Sequence, residues 1–332
     1  MSTRTTHAAA AILVPLALAM AGAPAAAQND PTPEIVKLQR QFAGNQKVRP
    51  SGAKGQCFVG TFTPSADAKR LSKSLAFAAP SKVVARFSVG GGNPRVPDTN
   101  KMVNRGFSFR IDDGGRGQTE FVMINAPINF VKSPEQMLGF LQARVPGPDG
   151  RPDAEKIRRF TEANPETTAQ ARFLASRPLP ASWVGVPYWG VHNYTLTNAQ
   201  GAKQLIKLKM EPEGGEVGLT DEQAKDKPAD FLIDDMRGRL NSRAPTGFNM
   251  VAFLGGRPGD QVNDATKTWV DEEKRQRVVL GRLVITQIEK NETCDGAIFD
   301  PTNLADGLAG PTDEPLFMQR QPAYAISIAE RL

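Results

Sequence analysis

KVVARFSV, residues 82–89, has the length of a β-strand and is rich in β-branched and aromatic residues; Pro80 stands before it and Gly90–Gly92 after it. Seven more runs of the same kind flank it. CFVGTFT (57–63) precedes it, and RGFSFRI (105–111) and TEFVMIN (119–125) follow. Further on lie YWGVHNYTLT (188–197), KQLIKLKM (203–210), GFNMVAFL (247–254) and QRVVLGRLVITQIE (276–289). Each is bounded by Gly, Pro, Asp or Asn. Asn198-Ala199-Gln200-Gly201 separates the fifth and sixth runs and reads as a hairpin turn.

Helical signals fill the gaps between the strands. Residues 34–42 are amphipathic. Ser133-Pro134-Glu135 opens a helix to about 144, with Ser as cap and Pro in the first turn. Residues 153–176 predict one or two surface helices. Short helices start at Thr220 and Pro228, and a last one runs from about Asp313 toward the C-terminus. Residues 256–275 are a long polar connection. Eight strands with helices inserted after the fourth and added at the end predict an α+β fold: an eight-stranded antiparallel β-barrel with inserted and C-terminal helices.

Composition narrows the chemistry. Arg4 precedes the apolar run AAAAILVPLALAMAG, and Ala25-Ala26-Ala27 follow, which is the form of a cleaved signal peptide over residues 1–27. The run is short for a membrane span and contains Pro15; the competing reading is an uncleaved anchor. Export predicts a periplasmic or secreted protein, with residues 28–332 as one domain. The formal net charge of +6 is mild. Its basic residues are scattered, unlike a nucleic-acid-binding arm. The only histidines are His7, inside the leader, and His192. Any mechanism or metal site that needs two histidines is therefore excluded from residues 28–332.

Five pieces in order carry a family resemblance: Ala85-Arg86-Phe87-Ser88; Arg105-Gly106-Phe107; Ile124-Asn125-Ala126-Pro127-Ile128-Asn129-Phe130; Tyr188-Trp189-Gly190-Val191-His192; and Arg320-x-x-x-Tyr324 after FDPTNLADGL (299–308). Over about residues 47–332 the chain resembles the haem-containing catalases, and more closely the short, exported catalase-related peroxidases. The resemblance implies a minimal barrel core without the long catalase extensions. It also implies haem b, with Tyr324 as axial iron ligand. Arg320, four residues earlier, lies one helical turn away on the same face and favours the phenolate. A relay behind the ligand would run Tyr324, Arg320, His192, Glu314, where the family usually has Asp at the last position. Arg49, Arg86 and Arg331 match its propionate arginines. Arg86 and Ser88, two apart on a strand, share a face, which is expected to point into the barrel.

The other haem face departs from the family. A histidine is expected three residues after Arg49, but the chain reads Arg49-Pro50-Ser51-Gly52-Ala53-Lys54-Gly55, with Gly52 at that place. Ile124 stands where long catalases have a distal Asn, with Asn125 adjacent. Met137 stands where a Phe stacks on the haem. Asn129 replaces an apolar residue, and Ser88, which supports the histidine elsewhere, is kept. Lys54 and the asparagines are the polar candidates left nearby.

The resemblance implies a peroxidase that reduces organic or hydrogen peroxide with a small-molecule electron donor and has weak or no catalase activity. Loss of the distal base opens two alternatives: a haem-binding sensor or store without turnover, and a fatty hydroperoxide lyase or isomerase. Closing the barrel sets the first strand beside the last. Cys57, which begins the first, and Cys294, which follows the last, are then placed for a disulfide, against the alternative of two separate thiols.

Overall fold

The computed structural model describes residues 30–44, 47–112 and 118–331. The expected leader, residues 1–27, lies outside them. All eight strand runs form strands, with ends shifted by one or two residues: β1 Gly55–Pro64, β2 Ser81–Val89, β3 Arg105–Asp112, β4 Gln118–Ile124, β5 Tyr188–Thr197, β6 Lys203–Pro212, β7 Gly247–Leu254 and β8 Arg277–Glu289. Their hydrogen-bonded order is β4-β3-β2-β1-β8-β7-β6-β5. An Ile124–Trp189 pair joins β4 to β5 and closes an antiparallel barrel. Three helices matter for the site: α1 (Thr32–Phe42), α2 (Pro134–Gln142) and α3 (Pro315–Ala329). The 153–176 segment is two α-helices, 154–163 and 169–176, with a 3-10 turn between them.

Aromatic side chains fill the barrel. Phe87 stacks on Phe107 with ring centroids 4.4 Å apart and on Trp183 at 5.8 Å. Phe58, Tyr188 and Phe248 pack round the same ring. Each fully buried Phe contributes roughly 1.5–3 kcal/mol from apolar burial. This core corrects the direction expected for Arg86 and Ser88. Val83, Ala85, Phe87 and Val89 belong to the interior cluster, so Arg86 and Ser88 stand on the barrel's outer face, under the helices. A guanidinium inside that aromatic core would have had no partner.

Register lays out that outer face. Ser88 pairs with Gly106 and Gly106 with Ile124; Arg86 pairs with Ser108 and Ser108 with Val122. These two cross-strand rows are mostly small and form a floor. A Cβ on Gly106 would lie 2.5 Å from Ser88 Oγ, so glycine is required there for the serine to sit as it does. On β5 the pairing jumps from Gly190–Leu208 to Tyr194–Ile206. Two extra residues are thus inserted on β5, within the stretch that carries His192.

A disulfide joins Cys57 on β1 to Cys294, beyond β8, where barrel closure brings the two together. Within the long polar connection Arg275 pairs with Asp260 at 2.6 Å, and Lys207 of β6 ties the connection to the barrel through Glu272 at 3.3 Å.

Candidate functional site

The floor formed by β2–β4 and the three helices enclose a cavity of about 490 Å³. Helical periodicity decides what each helix contributes. From α3 come Leu316, Gln319, Arg320, Ala323, Tyr324 and Ser327, a single face at three- and four-residue spacing. From α2 and its last turn come Met137, Phe140, Leu141 and Arg144; from α1, Ile35, Val36, Gln39 and Phe42. The floor supplies Arg86, Ser88, Ser108, Val122 and Ile124, and the segment before β1 supplies Arg49 and Gly52.

The α3 wall brings Arg320 and Tyr324 into the cavity side by side. Behind it, His192 Nδ1 lies 2.7 Å from Glu314 Oε2, with both side chains 1% exposed. Glu314 occupies the N-cap position of α3 without a capping hydrogen bond, so the pair fastens the β5 bulge to the helix that carries Tyr324. Burial pushes the His192 pKa below its ordinary value, against the pull of Glu314. Among the described residues His192 Nε2 and Glu314 Oε1 have no hydrogen-bond partner. Of the contacts expected in the relay, His192–Glu314 is present, and the Arg320 charge also disfavours the imidazolium.

At one end of the cavity the cations gather. Arg86 donates to the Gly52 carbonyl at 2.7 Å and the Ala53 carbonyl at 3.1 Å. Arg49 donates to the carbonyls of Cys294 at 2.6 Å and Ala297 at 2.9 Å, and lies over the Phe299 ring. The disulfide thus holds the segment that cradles Arg49. Burial, then the neighbouring Arg49, lowers the Arg86 pKa to about 9; burial, then Arg331, lowers that of Arg49 to about 10. Arg331 acts from beside the cavity and is not on its wall; it donates to the Ser327 carbonyl. Among the described residues the hydrogen bonds of all three go to backbone carbonyls, Arg49 Nε has none, and Asp295 offsets their charge only through its field. Buried cations so placed are short of anionic partners.

The rest of the cavity lining carries little proton chemistry. Gly52 is on the cavity wall, and a Cβ there would lie 3.1 Å from Ser88 Oγ and 3.7 Å from Arg86 Nη1. The expected juxtaposition of Gly52 and Ser88 is present. Gly52 has φ +63°, however, a left-handed backbone in which a side chain is strained. Asn125 is a correction. Its Oδ1 accepts the Arg105 backbone N–H at 2.6 Å, and it lines a shallow groove on another face. Ile124 takes the cavity side, because adjacent strand residues point oppositely. Lys54 is also removed from candidacy: it pairs with Asp98 and Asp230, both at 2.8 Å. Asn129 does reach the wall; its Oδ1 accepts from Phe130 N at 2.9 Å. Met137 lines the wall as expected.

Arg144 was not singled out from sequence. The signal was present, since it lies seven residues, two helical turns, beyond Met137. Among the described residues, the titratable groups on the cavity wall are Arg49, Arg86, Arg144, Arg320 and Tyr324, with no carboxylate, lysine or histidine.

Comparison with known proteins agrees with this architecture. The family model described as Catalase matches residues 46–332. The chain is 35% identical over 306 residues to a catalase-related peroxidase of Synechococcus elongatus, covering 90% of this chain and 88% of that one. It is 30% identical over 296 residues to a catalase-related peroxidase of Mycolicibacterium paratuberculosis, covering 84% and 87%. A solved bacterial catalase superposes with a TM-score of 0.77 at 21% identity, over 90% of this chain and 60% of that one, a likeness of fold.

Proposed function

The chain belongs to the catalase family, and on that premise we propose that it is a haem-dependent peroxidase with weak or no catalase turnover. The observation that carries this reading is the cavity: a tyrosine and an arginine one helical turn apart on one wall, buried Arg49 and Arg86 beside it, and, among the described residues, no carboxylate, lysine or histidine on the lining.

The residues present fit haem b. Tyr324 would be the axial ligand. A phenol ligates well only when ionised, and the Arg320 guanidinium stands one helical turn away on the same wall. Two propionates would supply the negative charge that Arg49 and Arg86 lack. The small floor of Ser88, Gly106 and Ser108 leaves room for a flat ring, and Met137 and Val122 offer it apolar contact. When bound, the haem supplies the redox-active iron that takes two oxidising equivalents from a peroxide. The overall reaction is ROOH + 2 AH → ROH + H₂O + 2 A•, where AH is a one-electron donor such as a phenol.

Ser88 and Asn129 would hold the peroxide by hydrogen bonds. Neither is a base near neutral pH, so the roughly 10²–10⁴-fold contribution of a positioned acid–base group is absent. Disproportionation of hydrogen peroxide, which needs proton transfer in both halves of its cycle, suffers most. The same observation favours a second reading, a haem-binding protein without turnover. Residues 1–27 would export the chain to the periplasm or beyond, in keeping with the Cys57–Cys294 pairing; N-terminal sequencing of the secreted protein tests this, and a chain beginning at Met1 would contradict it.

Steady-state assay of the haem-loaded protein separates the readings. The peroxidase reading expects consumption of cumene hydroperoxide that depends on added phenol, with little oxygen released from hydrogen peroxide. Full haem loading with no peroxide consumption would leave the binding reading.

A further inference from the structure

Arg144 is the cation in this cavity that the haem reading leaves unused. It follows the last turn of α2, with one side on the cavity wall and part of its surface in solvent. Its guanidinium stands 3.4 Å from the centroid of the Phe140 ring, and Nη1 donates to the Phe140 carbonyl at 3.0 Å. No carboxylate pairs with it among the described residues. A guanidinium has five N–H donors in a fixed fork, so most of the fork remains open. Around it the wall is apolar: Ile35, Phe42, Phe130, Met137, Phe140 and Leu141. Burial lowers its pKa; a guanidinium nonetheless keeps its proton in proteins.

We infer that Arg144 makes the cavity select peroxides that carry their own anion, an apolar body bearing a carboxylate, over hydrogen peroxide and neutral peroxides. The inference rests on the peroxidase reading and names its substrate class. Hydrogen peroxide is small and neutral, and gains nothing from an aromatic wall or a fixed positive charge. An amphiphilic carboxylate gains both: its body covers Phe130, Phe140 and Leu141, while its head meets the guanidinium in a bidentate, charge-assisted pair. Among the described residues no carboxylate lines the cavity wall, so no protein anion competes with such a ligand for Arg144. Hydrogen bonds to charged groups contribute about 1.5–3 kcal/mol, which corresponds to a preference of about 10- to 100-fold for the acid over its neutral ester.

Two measurements on the haem-loaded protein test this. Calorimetry with decanoate and decanol, neither a peroxide, reads binding without turnover. Decanoate should bind at least about tenfold more tightly, less so at high salt, and Arg144→Gln should bring the two ligands close to parity. Arg144→Lys, which keeps the charge without the fork, should retain part of the preference. Stopped-flow kinetics with a fatty acid hydroperoxide and its methyl ester should show the same ratio and the same collapse. Equal binding of decanoate and decanol by the wild type, or a ratio untouched by Arg144→Gln, would overturn the inference. If turnover is absent but the decanoate preference depends on Arg144, the peroxidase reading fails while the anion site stands.

Discussion

Gly52 is the residue on which the chemistry of the distal wall turns. It faces Ser88 across 3.1 Å, measured from an ideal Cβ, so an imidazole grafted there would enter the cavity with a hydroxyl beside it. Its φ of +63° adds a cost of about 1–2 kcal/mol for any side chain, although histidine tolerates this region better than β-branched residues. Gly52→His should lower the unfolding free energy by about 1–2 kcal/mol and raise the rate of the peroxide-induced change in the haem absorption spectrum by about tenfold, the lower range of an acid–base contribution. Stopped-flow mixing and urea titration read the two effects; normal haem binding with no rate gain would show that Gly52 does not face the reacting atoms. The residues around it mark how far sequence reading reaches. That Arg86 and Ser88 share a face follows from a period of two. Which face follows from Val83, Ala85, Phe87 and Val89, the apolar set of the same strand. An inward Arg86 conflicts with that alternation. Asn125 was misplaced by one residue's worth of pleat, and Lys54 by two carboxylates, Asp98 and Asp230, which are far from it in sequence.

At the scale of elements, the site depends on two fastenings. One is the disulfide. It closes a loop of 237 residues and holds the Cys294 and Ala297 carbonyls against Arg49. Replacing both cysteines by serine should cost about 2–5 kcal/mol in urea unfolding and weaken haem uptake through a loosened Arg49; unchanged stability and haem affinity would refute both roles. The pairing was foreseeable from barrel closure, but its service to Arg49 was not, because carbonyl contacts leave no mark in composition. The other fastening is His192–Glu314, between the β5 bulge and α3. Burial holds the His192 pKa below the unfolded value of about 6.5. Its stabilising contribution is therefore present above about pH 6.5 and is lost as pH falls through the depressed folded pKa, since the unfolded chain then binds the extra proton. The urea midpoint should fall between pH 7 and 5, and His192→Gln should flatten that slope. An equal slope in the variant would place the pH dependence elsewhere. The bulge itself was not legible: YWGVHNYTLT reads as one continuous strand, and only pairing with β6 reveals the two extra residues.

Across the whole molecule, the barrel was legible because every strand is long, rich in β-branched or aromatic residues and punctuated by turn formers. The cavity was not, because it lies between the outer face of the barrel and three helices drawn from residues 32–42, 134–142 and 315–329. Neither the strand pattern nor the helix pattern states which outer strands those helices cover. The helix faces were readable afterwards: 316, 320, 323 and 327 on α3, and 137, 141 and 144 at α2, each line up at helical spacing. Once assembled, these faces give a cavity whose lining carries Tyr324 and four arginines and, among the described residues, no carboxylate, lysine or histidine. The central claim is that this site holds haem through Tyr324. Titration of the haem-free protein with ferric haem, followed in the visible spectrum for wild type and Tyr324→Phe, tests it most directly. The account predicts one haem per chain in the wild type, with a phenolate-to-iron charge-transfer band, and in Tyr324→Phe the loss of that band together with much weaker uptake. The same spectrum and the same affinity in both proteins would contradict it.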